Sequence, residues 1–289
     1  MSLFEAIILG IVQGITEFLP ISSTGHLTLA GRLMDLIGAP NHLISTQNPE
    51  HWTSFIAVIQ LGTLAAVFIY FLKDIINIVR SFLLENLKER KSFANQNLDS
   101  RLGWLIIIGT IPVVILGLSF KHIIEGNLTK NLWVISISLI ALAVILFIAE
   151  KSAKFKKEIK DITIKDALVI GIAQSFALIP GSSRSGTTIT GGLFMGLKRE
   201  SAARFSFLLS IPAVLASGLL ELKESLPFIH GYGVINLIVA TVVAGVSGYM
   251  AIDFLLKFLK KNTTYVFIAY RIILGLIILT LLFNNIIQP

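Results

Sequence analysis

Six stretches of the chain, at roughly 52–72, 101–121, 131–150, 203–220, 232–257 and 264–284, are each close to 20 residues long and almost free of charge. A bilayer core about 30 Å thick is crossed by about 20 residues of helix. Inside hydrocarbon every backbone N–H and C=O needs a partner within the protein, so such segments span as helices. The sequence therefore predicts an all-α polytopic membrane protein with six transmembrane helices, the whole of 1–289 forming one integral membrane domain. Charged residues make up 14% of the chain, against about a quarter in a soluble domain.

The chain has no cysteine, which excludes disulfides and thiolate metal sites. The net charge of +7 lies between the apolar runs, where it reads as a topology signal rather than a nucleic-acid surface. Alternating through the six spans, one side of the membrane receives Lys73, Arg80, Lys88, Arg90, Lys91 and Arg101. It also receives Lys151, Lys154, Lys156, Lys157, Lys160 and Lys165, then Lys198, Arg199 and Arg204, then Lys257, Lys260 and Lys261. The other side keeps only Arg32, Lys121, Lys130 and Lys223, while Arg184 and Arg271 fall inside apolar segments. The basic side is expected to be cytoplasmic. The opening "MSLFEAIILG" has no cationic n-region and carries Glu5, so a cleaved signal peptide is not expected.

Two further apolar segments, 3–35 and 164–198, are broken in the middle by "FLPISSTGH" and "LIPGSSRSGTT". A full crossing by either would upset the charge alternation, so both are expected to be re-entrant helix hairpins. They also resemble each other. At an offset of 161, "EAIILGIVQG" lies on "DALVIGIAQS": Ala6 meets Ala167, Gly10 meets Gly171 and Gln13 meets Gln174. Further along, Ser22 meets Ser183 and Gly25 meets Gly186. Three spans follow each segment. The chain thus divides into halves at about 1–150 and 160–289, and an odd span count inverts the second. Inverted repeats with broken helices place a binding site near the bilayer midplane, where irregular backbone survives only against protein or a wet cavity.

Both breaks set serines and threonines just ahead of a new apolar run, the pattern of helix N-caps. Helix N-termini hold anions, phosphate above all. Ser22, Ser23, Thr24, Ser183 and Ser185 are the polar groups offered there, and Gly25, Gly181 and Gly186 allow close backbone approach. Arg184 adds a planar fork suited to phosphate oxygens, and an arginine at this depth signals function. Gln13 and Glu17 share a helix face. A carboxylate beside an anion site suits a divalent cation or a base. His26 can act as nucleophile, base or acid. Arg271 either adds a second cation or pairs with a carboxylate.

"EAIILGIVQGITEFLPISSTGH" together with "LIPGSSRSGTTITGGL" resembles the undecaprenyl-diphosphate phosphatases, the bacitracin-resistance proteins of bacterial membranes. The resemblance runs through "AVIQLGTLAAV", "IPVVILGL" and "FIAYR" and so covers essentially the whole chain. It implies six spanning helices with two re-entrant pairs in inverted repeats. It implies hydrolysis of undecaprenyl diphosphate to the monophosphate and inorganic phosphate, assisted by Mg²⁺ or Ca²⁺. That reaction recycles the lipid carrier for peptidoglycan synthesis, in the bacterial inner membrane with the site facing the periplasm. The family's acidic motif falls on Gln13 and Glu17, its serine and histidine on Ser23 and His26, and its arginine motif on Pro180 to Gly186. By resemblance Glu17, Ser23, His26 and Arg184 are catalytic, and Glu17 with Gln13 would hold the metal. Some members carry Glu where this chain has Gln13, which weakens a two-carboxylate metal site. Ser23, His26 and water all remain open as the nucleophile. A lipid-phosphate transporter or flippase using the same anion site is the alternative reading, and a homodimer is compatible with either.

Overall fold

The computed structural model describes residues 2–37, 49–120, 131–225 and 234–288. Eleven α-helices lie among them: α1 (Leu3–Phe18), α2 (Ser23–Ile37), α3 (Pro49–Tyr70), α4 (Leu72–Leu83), α5 (Leu98–Ser119), α6 (Leu132–Ser152), α7 (Ile164–Ser175), α8 (Arg184–Phe194), α9 (Arg199–Ser225), α10 (Val234–Lys261) and α11 (Tyr265–Phe283). Local chemistry sets several starts. Ser2 and Glu5 form a capping box on α1, and Thr163 and Asp166 form one on α7. The Asn97 side chain accepts from the Ser100 amide to open α5, and Asn131 accepts from Trp133 and Val134 to open α6.

The chain is a multi-pass membrane protein by the length and composition of its helices. Five of them, α5, α6, α9, α10 and α11, are long and apolar enough to cross a bilayer. The 52–72 run is helical as far as Tyr70. α3 stops at Tyr70 and the chain bends by 72° into α4. The bend forms where Phe71 turns inward: it is 1% exposed, with its ring beside those of Tyr70 and Phe207. Beyond it Lys73, Asp74, Asn77 and Arg80 give α4 a polar face, and Asp74 pairs with Arg204 of α9 at 2.6 Å. A helix with one charged face is unsuited to hydrocarbon on all sides.

Packing follows a pattern that repeats along the chain. α1 lies along α10, and α7 lies along α5; α3 contacts α9 and α10, and α6 contacts α11. At both short-helix crossings a glycine brings two backbones together. A β-carbon on Gly10 would sit 2.6 Å from the Ala240 carbonyl oxygen, and one on Gly171 only 2.2 Å from that of Gly109. Gly10 and Gly171 are the positions matched in the sequence repeat. Lipid gives no hydrophobic drive for helix association, so small residues that allow close approach carry it. Valine at Gly171 is therefore expected to destabilise the protein by about 3 kcal/mol, the upper end of the usual cost of overpacking, because the clash is with backbone that cannot rotate away. Alanine at Gly117, where a β-carbon meets nothing within 4 Å, serves as the neutral control. Melting of the two variants in detergent checks this.

The inward faces form the core. Phe18, the last residue of α1, sits edge-on to Phe207 at 5.5 Å between centroids. This anchors the α1 terminus, and with it the neighbouring Glu17.

Candidate active site

α1 and the short 3-10 turn after α7 (Phe176–Leu178) both stop just before a proline. Leu19 and Ile179 are extended, as residues ahead of Pro20 and Pro180 must be. The chain then reverses at Ser22 (φ 78°) and Ser183 (φ 67°), two non-glycine residues in the left-handed region. Such conformations cost about 1–3 kcal/mol and gather at functional sites. Each serine caps the helix that follows. Ser22 Oγ accepts from the Gly25 amide at 3.3 Å, and Ser183 Oγ from the Gly186 amide at 3.2 Å. The same residue pair, spacing and φ sign thus recur 161 residues apart.

The two breaks touch. Arg184, at the start of α8, donates from Nη2 to Glu17 Oε1 at 2.8 Å. Glu17 Oε2 receives the Ser23 hydroxyl at 2.8 Å and Gln13 Nε2 at 3.4 Å. Ser185 Oγ donates to the Leu19 carbonyl at 3.1 Å and lies 3.2 Å from Ser183 Oγ. The Glu17 and Arg184 side chains are 8% and 16% exposed, so the pair is nearly but not wholly closed off. Glu17, Ser23, Arg184, Gln13, Ser183 and Ser185 are therefore brought together.

Arg271 is 0% exposed and pairs with no carboxylate among the described residues. Its guanidinium binds carbonyls: Nη1 to Pro20, Nη2 to Gly181 and Ser182, and Nε to Leu139 of α6, at 3.0–3.5 Å. One buried cation thus ties both breaks together through their backbones. None of its contacts among the described residues is a carboxylate, so its charge remains available as a positive field.

The glycines are spent on protein contacts. A β-carbon on Gly25 would meet Ile135 at 3.3 Å, one on Gly181 (φ +85°) the Ile135 carbonyl oxygen at 2.5 Å, and one on Gly186 the Arg271 Nη1 at 2.7 Å. Thr24 stands exposed on the first turn of α2.

His26 lies one turn beyond Ser23, and its ring nitrogens have other partners. Its Nδ1 is 2.7 Å from the Ser22 carbonyl oxygen and its Nε2 is 2.6 Å from the Tyr270 hydroxyl. Tyr270 is the residue that sequence reasoning missed. Its signal was its place beside Arg271 in "FIAYR", on the helix that clamps the breaks.

For a divalent cation the donor set is small. Among the described residues no group of three or more His, Asp or Glu side chains could hold a metal. Gln13 Oε1, however, is a buried oxygen without a hydrogen-bond partner, on the amide whose Nε2 donates to Glu17. One carboxylate, one amide oxygen and the Ser23 hydroxyl suit a hard cation that takes its other ligands from substrate phosphate and water.

Residues 6–277 match the family described as bacitracin resistance protein BacA. The chain belongs to the BacA family. The matched region contains both breaks and every site residue named above. Full-length relatives agree. An undecaprenyl-diphosphatase of Syntrophobacter fumaroxidans is 54% identical over 285 residues, 99% of each chain. Those of Pelodictyon phaeoclathratiforme and Chlorobium phaeobacteroides are 50% and 51% identical over the whole of both chains. This BacA chain is similar to all three from end to end.

Proposed function

We propose that the chain is an undecaprenyl-diphosphate phosphatase: it hydrolyses the lipid diphosphate to undecaprenyl phosphate and inorganic phosphate. The product returns to peptidoglycan synthesis, and a raised level of the enzyme confers bacitracin resistance. The family and the relatives' activity support the substrate. One observation carries the site assignment: the Ser23 hydroxyl, the Glu17 carboxylate and the Arg184 guanidinium form one hydrogen-bonded row across the two breaks.

The architecture in this reading has six spans, α3 being the first, and two re-entrant pairs, α1–α2 and α7–α8. With 16 and 12 residues, α1 and α7 reach only about 24 and 18 Å, short of a bilayer core. The shared caps and glycine crossings support two inverted halves, 1–150 and 160–289. The distribution of lysine and arginine supports an inner-membrane protein whose site opens to the periplasm.

The geometry favours Ser23 as nucleophile, because its hydroxyl already donates to a carboxylate while the Nε2 of His26 faces Tyr270. Ser23 Oγ attacks the terminal phosphorus and its proton passes to Glu17 Oε2. The bond from that phosphorus to the bridging oxygen breaks, and undecaprenyl phosphate leaves. Free N–H groups of Arg184 and the amides opening α2 and α8 neutralise the phosphoryl oxygens. Water then attacks the phosphoserine, giving a proton to His26 Nε2. The phosphorus–Oγ bond breaks, Ser23 regains its proton from Glu17, phosphate departs, and His26 gives its proton up to solvent. Mg²⁺ or Ca²⁺, held by Glu17, Gln13 Oε1 and Ser23, would supply added charge neutralisation of the diphosphate.

The assay is phosphate release from undecaprenyl diphosphate by the purified chain in detergent, where transport cannot score. Release is expected, falling at least about tenfold with chelator and returning with Mg²⁺ or Ca²⁺. No release under any of these conditions would overturn the assignment and leave transport as the reading to pursue.

A further inference from the structure

Histidine has two ring nitrogens, and the contacts of His26 decide which one carries hydrogen. A carbonyl oxygen only accepts, so the 2.7 Å contact with Ser22 places the hydrogen on Nδ1. Neutral imidazole then has its lone pair on Nε2, where the Tyr270 hydroxyl donates at 2.6 Å. The two rings lie nearly parallel, 9° apart, with centroids at 5.5 Å. Free imidazole side chains favour hydrogen on Nε2, so both contacts hold the less common tautomer.

Each contact is tied to the breaks. The Ser22 carbonyl is turned toward the ring by a left-handed backbone. Tyr270 directly precedes Arg271, whose guanidinium is bonded to the carbonyls of Pro20, Gly181 and Ser182. The tyrosine is thereby fixed against the same loops that carry Ser23 and Arg184. It is also 42% exposed, so its hydroxyl can swing off Nε2 without unpacking the protein.

We infer that Tyr270 is the positioning residue for His26: it holds the ring in the Nδ1–H tautomer with Nε2 ready as a base, and yields that nitrogen to water at the phosphoserine stage. The inference rests on the role given to His26 above. Tyr270 touches neither substrate nor reacting atoms in this scheme and acts through the imidazole alone.

The test uses the full chain in detergent and four proteins: the parent, Tyr270→Phe, His26→Gln and the double variant. Phenylalanine keeps the ring stack and removes only the hydroxyl. Tyr270→Phe is expected to lower kcat about 10- to 100-fold, the range known for losing the partner that orients a metal-bound histidine, with KM within about twofold. The double variant is expected to be no slower than His26→Gln. In protein with ¹⁵N-labelled histidine, His26, assigned by its loss in His26→Gln, is expected to show the Nδ1–H tautomer, and Tyr270→Phe a mixture. The inference is overturned if the tyrosine substitution slows the His26→Gln background by the same factor, if the loss falls on KM, or if the tautomer is unchanged. A fully active His26→Gln protein would instead remove the role of His26 itself, and the inference with it.

Discussion

Replacing Arg184 with alanine is expected to lower kcat for phosphate release by about 10³- to 10⁵-fold, the range seen when an arginine that neutralises a transferring phosphoryl group is lost. Two effects add. The developing charge loses its nearest mobile cation, and Glu17 Oε1 loses its 2.8 Å partner at the moment Oε2 must take the Ser23 proton. Lysine is expected to recover little of this, because one ammonium cannot hold the carboxylate and a phosphoryl oxygen with the planar fork of a guanidinium. Stability separates the two effects. The Arg184→Ala protein leaves a nearly buried carboxylate without its cation and should melt lower. Adding Glu17→Gln should restore most of the melting temperature and none of the activity. Activity and melting measured on the three variants check this, and a double variant with restored turnover would contradict it.

The second large effect is expected from Ser23→Ala. Loss of the attacking atom in a covalent mechanism costs about 10³-fold or more. If Ser23 only oriented Glu17, the substitution would remove a single hydrogen bond worth about 1.5–3 kcal/mol, a 10- to 150-fold effect at most. The two roles therefore differ in size. Steady-state kcat of purified Ser23→Ala, with melting confirmed close to the parent, distinguishes them. Residual activity within about 100-fold of the parent would move the nucleophile elsewhere.

Much of this site is legible in the amino-acid sequence. The two proline breaks and the serine caps at positions 161 apart follow from local rules, whereas the ion pair of Glu17 with Arg184 joins residues 167 apart. Proline ends a helix, and a serine ahead of an apolar run caps the next one. The illegible parts are those in which the partner lies far along the chain. Tyr270 looks like an ordinary interfacial tyrosine until α11 is laid beside α2, 244 residues away. Arg271 reads in sequence as a cation for a ligand or a carboxylate. Its partners in the fold are backbone carbonyls, which have no side-chain signature. The bend at Phe71 has no proline or glycine to announce it. It comes from an aromatic ring drawn into the core and from the polar face of α4, whose charges signal topology more plainly than geometry.

Glycines illustrate the same limit. Gly25, Gly181 and Gly186 are places of close approach, as their positions in the two breaks suggest. The bodies that approach are Ile135 and the Arg271 guanidinium. Sequence identifies the need for space, and only the packed helices say what fills it.

Ser23, activated by Glu17 beside Arg184, is expected to carry the phosphoryl group during turnover. Acid quenching of the His26→Gln protein during turnover of undecaprenyl diphosphate labelled in its terminal phosphate tests it directly, since slowed dephosphorylation should let the covalent species build up. The label is expected on the peptide containing Ser23, as acid-stable phosphoserine. Phosphate released at a measurable rate with no label ever bound to protein, or with label on another residue, would contradict the account.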